Sequence, residues 1–345
     1  MIAANTPVQR PPGAKLLHVD PGGQIVRLAR SDVVSLLRPG DVVIANDAAA
    51  LPASLFGTHR PSGRRIEVRL AGRRSLAEVT QFSAVVFGDG DFHMRTEDRP
   101  LPPALDPGDW LALGPLLAVV ARVLDHPRHV LLHFQNSPRH IWEGLARYGR
   151  PIQYAHVPMP LALWDVWTTI AGPPVAFEAP SAGFILDWRM QARMASRGVH
   201  FAAITHAAGL SSTGDAELDA LLPFDEPYRI PASTARMIAD AKFQERRIIA
   251  IGTSVVRALE HSATTFNGDV PEGERLATQK ITSSTRLRVV DAIVSGTHEE
   301  GSSHHDLLSA FANAQTLARM ELELNEHAFR THEFGDSIFL EKELR

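Results

Sequence analysis

The sequence predicts an α/β fold in which a barrel-like α/β domain, built from the N- and C-terminal segments, carries an inserted small antiparallel β-barrel domain. Three observations predict it. Four short apolar runs, three of them rich in β-branched residues, each end in a cluster of polar, chemically capable residues: Val42 to Ala45 before Asn46-Asp47, Phe201 to Ile204 before Thr205-His206, Ile248 to Ile251 before Gly252-Thr253-Ser254, and Val289 to Val294 before Ser295 to His298. Runs of this length and composition read as strands buried on both faces of a mostly parallel sheet, whose ligands bind beyond the carboxyl ends of the strands. Between about residues 57 and 151 the pattern changes to short alternating runs separated by Gly-, Pro- and Asp-rich turns, which suits an antiparallel barrel. After Pro151 the α/β pattern returns. The expected division is residues 1–56 plus 152–345 for the α/β domain and 57–151 for the insertion.

Taken in order, residues 15–56 read as a strand, a short helix from Ser31 to Leu37, a turn at Arg38 to Asp41, and the strand ending at Asn46. In the insertion, Arg65 to Leu70 and Leu76 to Val79 read as alternating strands, with turns at Gly88 to Asp91 and Asp106 to Asp109. Leu186 to Ser196 is an expected helix ended by Arg197-Gly198. Pro231 to Lys242 is another, with Ser233 or Thr234 placed to cap its first turn. A helix from Thr253 to about Ser262 follows the third apolar run. A long amphipathic helix, about Ser303 to Phe329, is predicted from Leu307, Leu308, Phe311, Ala314, Leu317 and Ala318 at helical spacing. Ser337 to Leu340 reads as a last strand.

With 345 residues the chain can bury a sizeable core, and 44% apolar and 21% charged residues are ordinary for a soluble globular protein. No apolar stretch approaches the roughly 20 residues that span a bilayer, and Met1 to Lys15 lacks the layout of a signal peptide, so a cytoplasmic protein without membrane contact is expected. The absence of cysteine excludes disulfides, thiolate metal sites and cysteine nucleophiles. A formal charge of −4 argues against a dedicated duplex-binding domain. One local basic stretch stands out: Arg60, Arg64, Arg65, Arg69, Arg73 and Arg74. It is either a solvated hairpin or a nucleic-acid contact, with Arg60, Arg64 and Arg65 as the candidate RNA-binding residues.

The segment Ile248 to Glu260 is the most informative. A buried strand turns through Gly252, Thr253 and Ser254 into a helix, where close backbone approach and a free N-terminal turn suit a carboxylate or other anion. Arg257, on a neighbouring face, is placed to clamp that anion, with Glu260 a turn further on; the plainer alternative is a capped helix with the two paired on its surface. Pro180, Ser181 and Gly183 form a loop able to approach a flat ligand, or a simple connector. His206 and His298 close two strands and are the candidate catalytic residues, since imidazole titrates near neutrality. Asn46 and Thr205 end the other flanking runs and are taken as binding residues. Thr297 to Glu300 with Ser302 to Asp306 is dense in possible metal ligands, but the spacing is not H-E-x-x-H and no metal is expected. No G-x-S-x-G elbow, Walker loop or G-x-G-x-x-G is present, which counts against hydrolase, NTPase and dinucleotide-binding functions.

In this order the segments resemble the S-adenosylmethionine:tRNA ribosyltransferase-isomerase family of queuosine biosynthesis. The matching stretches are Pro39 to Asn46, Leu51 to Ala53, Leu55 to Gly57, Gly63 to Val68, Ala179 to Gly183, Thr205-His206, Ile249 to Glu260, Val290 to Val294, His298, Ser309 to Phe311, and Phe334 to Phe339. The resemblance implies transfer of the ribosyl part of S-adenosylmethionine to the aminomethyl group of a 7-deazaguanine in tRNA. Rearrangement to an epoxycyclopentanediol and loss of adenine and methionine accompany the transfer. It implies no metal and no cofactor beyond S-adenosylmethionine as co-substrate, and tRNA as partner; a monomer is expected. The implied roles are a base for His206 or His298 and substrate anchors for Thr253, Ser254 and Arg257. The chain departs from the family where arginines are usual, at Ala48 to Ala50 and Ser54, where a histidine is usual, at Ile185, and around His206 and His298, at Ala207 to Ser212, Gly296-Thr297 and Glu299-Glu300. Those departures keep two other possibilities open: a paralogue using S-adenosylmethionine on a free 7-deazapurine or other small molecule, and a non-catalytic ligand-binding protein of the same fold.

Overall fold

The computed structural model describes residues 1–298 and 303–343. Its larger sheet has nine strands in the order Gly273–Ala277, Glu226–Ile230, His200–His206, Val42–Asn46, Ile248–Ile251, Ala292–Gly296, Ser337–Glu341, Lys15–Val19 and Ile25–Ala29. The four apolar runs are its central neighbours and all run parallel. Their register pairs Ile204 with Asn46, Ala45 with Ile251, and Ile251 with Val294, so the four carboxyl ends lie along one edge.

Burial on both faces explains why these runs are continuously apolar. Val42, Ile44, Ile248 and Ala250 enter one core with the helices Ala232–Phe243, Thr253–Thr265 and Ala314–Glu326. Val43, Ala45, Ile249 and Ile251 enter the opposite core with the helix Trp188–Ser196 and the 3-10 helix Arg30–Leu36. Each fully buried Val or Ile side chain among them contributes about 1.5–3 kcal/mol relative to exposure.

Between Ser54 and Phe134 six strands close into an antiparallel barrel, in the order Leu116–Val123, His129–Phe134, Gln81–Phe87, Arg65–Gly72, Ser54–His59 and Trp110–Leu113. Phe82, Phe87 and Phe134 fill it together with Val68, Leu111 and Val120. A helix, Pro138–Tyr148, follows; the Ser137 side chain accepts from the His140 N–H and Pro138 sits in its first turn. Sequence reasoning did not predict that helix, although Ser-Pro is a sound start signal.

Several local expectations need correction. Leu76 to Val79 is a turn, not a strand, because the Glu78 carboxylate takes the N–H and O–H of Thr80 and the N–H of Gln81. Neither Ser233 nor Thr234 caps its helix; Pro231 stands at the cap and Thr234 donates to the Ala203 carbonyl at 2.7 Å, tying helix to strand. The long C-terminal helix is two, Ser303–Leu308 and Ala314–Glu326. Asn313 breaks it: its side chain accepts from the Thr316 N–H while its own N–H donates to Glu343. After the break the buried face is Leu317, Met320 and Leu324, and Ala314 and Ala318 are exposed. The hairpin Lys15–Val19 with Ile25–Ala29 adds a strand that the sequence did not suggest.

Candidate active site

Two of the four strand ends, those after Ile251 and Val294, and the loop that follows His206 frame a two-lobed cleft. The smaller lobe, about 110 Å³, is lined by Pro180, Ser181, Gly252, Thr253, Ser254, Arg257, Gly296 and His298. The larger, about 350 Å³, is walled by Gln153, Tyr154, His156, His332, Glu333 and Phe334. Glu178, Ala179, Ser181, Ser211, His298 and His304 line both and mark the junction. The sequence-predicted residues Pro180, Ser181, Gly252, Thr253, Ser254, Arg257 and His298 therefore do converge. Asn46, Gly183, Thr205, His206 and Glu260 are not among the lining residues.

Gly252 makes the turn possible. It precedes the helix Thr253–Thr265 with φ 95° and ψ 154°, and a Cβ there would sit 3.3 Å from the Ala182 Cβ. No side chain caps that helix, so its first N–H groups face the small lobe unclaimed by a cap.

Behind the lining, Asn46 brackets two strand ends. Its Oδ1 accepts from the N–H groups of His206 and Ala48, at 2.9 and 3.0 Å, and its Nδ2 donates to the His206 carbonyl at 2.9 Å. Thr205 donates to Asp47 at 2.7 Å. Gly183 is buried in the 3-10 turn Ser181–Ile185, with Thr168 3.0 Å from where its Cβ would be.

The expectation for His206 as a base does not fit its surroundings. It is fully buried; Nδ1 lies 2.6 Å from the Ser254 carbonyl, which can only accept, so this nitrogen carries the proton. Nε2 lies 2.9 Å from Glu226 Oε2, without hydrogen-bond alignment. Neither nitrogen faces the cleft, and the ring braces the helix start against the sheet.

Arg257 is equally committed. Nη1 donates to Glu226 at 2.5 Å, Nη2 to the Ala277 carbonyl at 3.0 Å and Nε to the Gln279 carbonyl at 2.9 Å. Each guanidinium nitrogen is engaged, so the residue is a wall of the small lobe and not an anion clamp. Glu260 is not its surface partner either; that carboxylate accepts from the N–H groups of Arg288, Val289 and Val290 at 2.7–2.9 Å. This also explains why the fourth strand starts at Ala292. Glu226 completes the buried group by accepting from the Gly209 N–H at 2.5 Å. Burial alone would raise its carboxyl, but Arg257, His206 and the Gly209 N–H outweigh it and hold the group at about 2.

His298 does stand at the junction, its ring stacked on His304 with centroids 4.3 Å apart. Burial, then the neighbouring His304, His332 and His305, push it well below its ordinary value, so it is neutral at pH 7.

Sequence reasoning missed the residues that give the large lobe its character. The Tyr154 hydroxyl donates to Glu178 Oε1 and also lies 3.0 Å from the Ser212 carbonyl. Burial raises the Glu178 carboxyl to about 7 against the Tyr154 and Ser211 hydroxyls, and Glu333 adds to the rise. His156 meets Glu333 at 2.9 Å and stacks on His332 at 4.1 Å. Although burial would raise Glu333, His156 holds it below the usual range. The only available signal was the density of Tyr, His and Glu in irregular segments, which is weak without the closure that brings residues 154, 178 and 333 together.

Arg60, Arg64 and Arg65 are exposed at the hairpin between the first two barrel strands. Arg64 donates to the Leu101 carbonyl at 2.9 Å, and Arg65 has a loose contact with Asp89 at 3.4 Å. Arg69 and Arg73 do not belong to that surface. Arg69 pairs with Glu67 at 2.8 Å inside the barrel, and Arg73 donates to the carbonyls of Glu78 and Val175.

Of the possible metal ligands between Thr297 and Asp306, Glu299 and Glu300 lie outside the described residues. Among the described residues the group with metal-like spacing is Glu323, Glu326 and His327, at the end of the last helix and not in the cleft. Among them, too, no helix is long and apolar enough to cross a membrane.

Comparison with known proteins agrees with this layout. The sequence profile of the family described as queuosine biosynthesis protein matches residues 1–340. An S-adenosylmethionine:tRNA ribosyltransferase-isomerase from Sorangium cellulosum is 32% identical over 99% of this chain and 95% of its own length. One of the same name from Thiobacillus denitrificans is 30% identical over 95% and 91%. The crystal structure of an S-adenosylmethionine tRNA ribosyltransferase from Thermotoga maritima shares the fold, with a TM-score of 0.52 at 22% identity over 98% of this chain and 96% of that one. A match over nearly the whole chain, with the cleft at the strand edge where the sequence placed it, leads to one conclusion: the protein belongs to the queuosine biosynthesis protein family.

Proposed function

We propose that the protein is an S-adenosylmethionine:tRNA ribosyltransferase-isomerase, transferring the ribosyl part of S-adenosylmethionine to a 7-aminomethyl-7-deazaguanine base in tRNA and isomerising it. The observation that carries this reading is end-to-end similarity to relatives of that name. The cleft supports it chemically, because a two-substrate transfer needs two compartments that meet.

In this reading the methionine carboxylate sits on the free N–H groups of the Thr253–Thr265 helix, with the Thr253 and Ser254 hydroxyls beside it. The Pro180–Gly183 loop lies against the nucleoside. His298, held neutral, offers one donor and one acceptor to the ribose hydroxyls. The reacting centre is the junction, and the deazaguanine enters through the larger lobe. The protein acts as a monomer in this reading, and tRNA as substrate supports a cytoplasmic site of action. Residues 57–151 act as an inserted domain whose Arg60, Arg64 and Arg65 contact the tRNA backbone.

Arg64→Glu with Arg65→Glu is expected to weaken tRNA binding roughly uniformly across tRNA sequences and to flatten the plot of log affinity against log salt by about 1–2. An unchanged slope in a filter-binding titration would remove the hairpin from the interface. The activity itself is tested by incubating the pure protein with S-adenosylmethionine and tRNA bearing the aminomethyl base, and following adenine and methionine. Release with free 7-aminomethyl-7-deazaguanine but not with tRNA would move the acceptor to a small molecule, and release with neither would overturn the reading.

A further inference from the structure

The junction of the two lobes contains a carboxyl group with no cationic partner among the described residues. Glu178 lines both lobes, as expected of a group placed where two reactants meet. Its neighbours are neutral donors: the Tyr154 hydroxyl, itself close to the Ser212 carbonyl, and Ser211. No cation pairs with it among the described residues. The charged groups around it are Glu333 and the Arg69 guanidinium, which lies over the Tyr154 ring at 5.5 Å and is paired with Glu67. The other carboxylates of the cleft are differently placed: Glu226 is paired with Arg257, Glu333 with His156, and Asp219 accepts from Thr213.

We infer that Glu178 is the general base of the site, the catalytic residue that removes a proton from the ribosyl C5′ next to the sulfonium of bound S-adenosylmethionine. This rests on the proposed function above. In the step the C5′–H bond breaks, an O–H bond forms on the Glu178 carboxylate, and the electron pair stays on C5′ beside the sulfonium. The proton is then passed to departing adenine or to solvent, which regenerates the carboxylate, and no oxidant or reductant is required.

The surroundings suit that task. A base works best when its pKa lies near the working pH, and burial brings Glu178 to about 7. Tyr154 is the positioning residue: burial, then the Glu178 charge, push its hydroxyl well above its ordinary value, so it stays a donor and fixes the direction of Oε1. A bound sulfonium cation next to the carboxyl would favour its ionised form. His206 is excluded by its buried partners, and His298 is the weaker base because its imidazole is pushed well below its ordinary value.

The test combines S-adenosylmethionine affinity by calorimetry with single-turnover adenine release on aminomethyl-base tRNA, from pH 5 to 9, for wild type, E178Q and E178D. Wild type should lose rate about tenfold per pH unit on the acid side, with the limb at or below about 7 because the bound sulfonium favours the carboxylate. E178Q should bind S-adenosylmethionine within a few fold of wild type yet release adenine about 10²–10⁴-fold more slowly, without that acid limb. E178D should restore part of the rate and a shifted limb, which a merely structural role would not produce. An E178Q rate within tenfold of wild type, or an acid limb that survives in E178Q, overturns the assignment. Failure of wild type to bind S-adenosylmethionine overturns instead the function on which it rests.

Discussion

Replacing Arg257 by methionine is expected to lower the unfolding free energy by about 3–5 kcal/mol, more than any surface change in this chain. The reason is the buried group behind the small lobe. Glu226 and Arg257 are 5% and 4% exposed, so methionine would leave a carboxylate with only the Gly209 N–H and the His206 ring to offset its desolvation. Adding Glu226→Gln to Arg257→Met should recover a good part of the loss, because the unpaired charge is then gone. The same pair sets an acid dependence. Glu226 is held at about 2 in the fold against 4.5 for an ordinary glutamate. A carboxyl with a depressed pKa contributes stability that is fully present above 4.5 and is lost as pH falls through about 2. At about 1.4 kcal/mol per unit, roughly 3 kcal/mol is involved. Urea titrations at pH 7 and near pH 2.5 measure both effects. A single Arg257→Met variant within 1 kcal/mol of wild type at pH 7 would show that the pair is not what holds this region.

Gly252→Ala is expected to cost about 1–3 kcal/mol of stability and at least tenfold in S-adenosylmethionine affinity. A φ of 95° with ψ 154° is a region that residues with a Cβ adopt only under strain. The added carbon would also sit 3.3 Å from Ala182, whose own loop includes Pro180 and Ser181 of the small lobe. Relief of that contact moves the loop, the helix start or both, and either movement misplaces the N–H groups offered to the carboxylate. Calorimetric titration with S-adenosylmethionine reads the affinity; an unchanged value would place the methionine carboxylate away from this turn.

Fold and site were not equally legible in the sequence. The four parallel strands could be read because burial on both faces forces continuous apolar runs, and the polar clusters that follow them mark the edge they share. The turn at Gly252 could be read because a glycine between a buried strand and a helix has few other uses. Arg257 was legible as a position but not as a role, since its partners lie 20–31 residues away, Glu226 before it and Ala277 and Gln279 after it. Glu260 was misread for the same reason, its three N–H donors lying just before the fourth strand. His206 and His298 looked alike in sequence, yet one is walled in by Ser254 and Glu226 and the other lines both lobes. Glu178 and Tyr154 gave only a weak signal, because neither sits in a periodic element and their meaning comes from the barrel and the sheet closing over one cleft. The break at Asn313 was hidden by apolar residues on both sides of it that together mimic one helical stripe.

The central claim, that this cleft passes a ribosyl group from S-adenosylmethionine to a tRNA base, is tested most directly by nucleoside mass analysis of the tRNA itself. Aminomethyl-base tRNA treated with the protein and S-adenosylmethionine should yield a nucleoside carrying the epoxycyclopentanediol, with one adenine and one methionine released for each modified base. Tight binding of S-adenosylmethionine with an unaltered nucleoside, and no product on free deazapurine, would contradict the claim and leave a ligand-binding protein on the same fold.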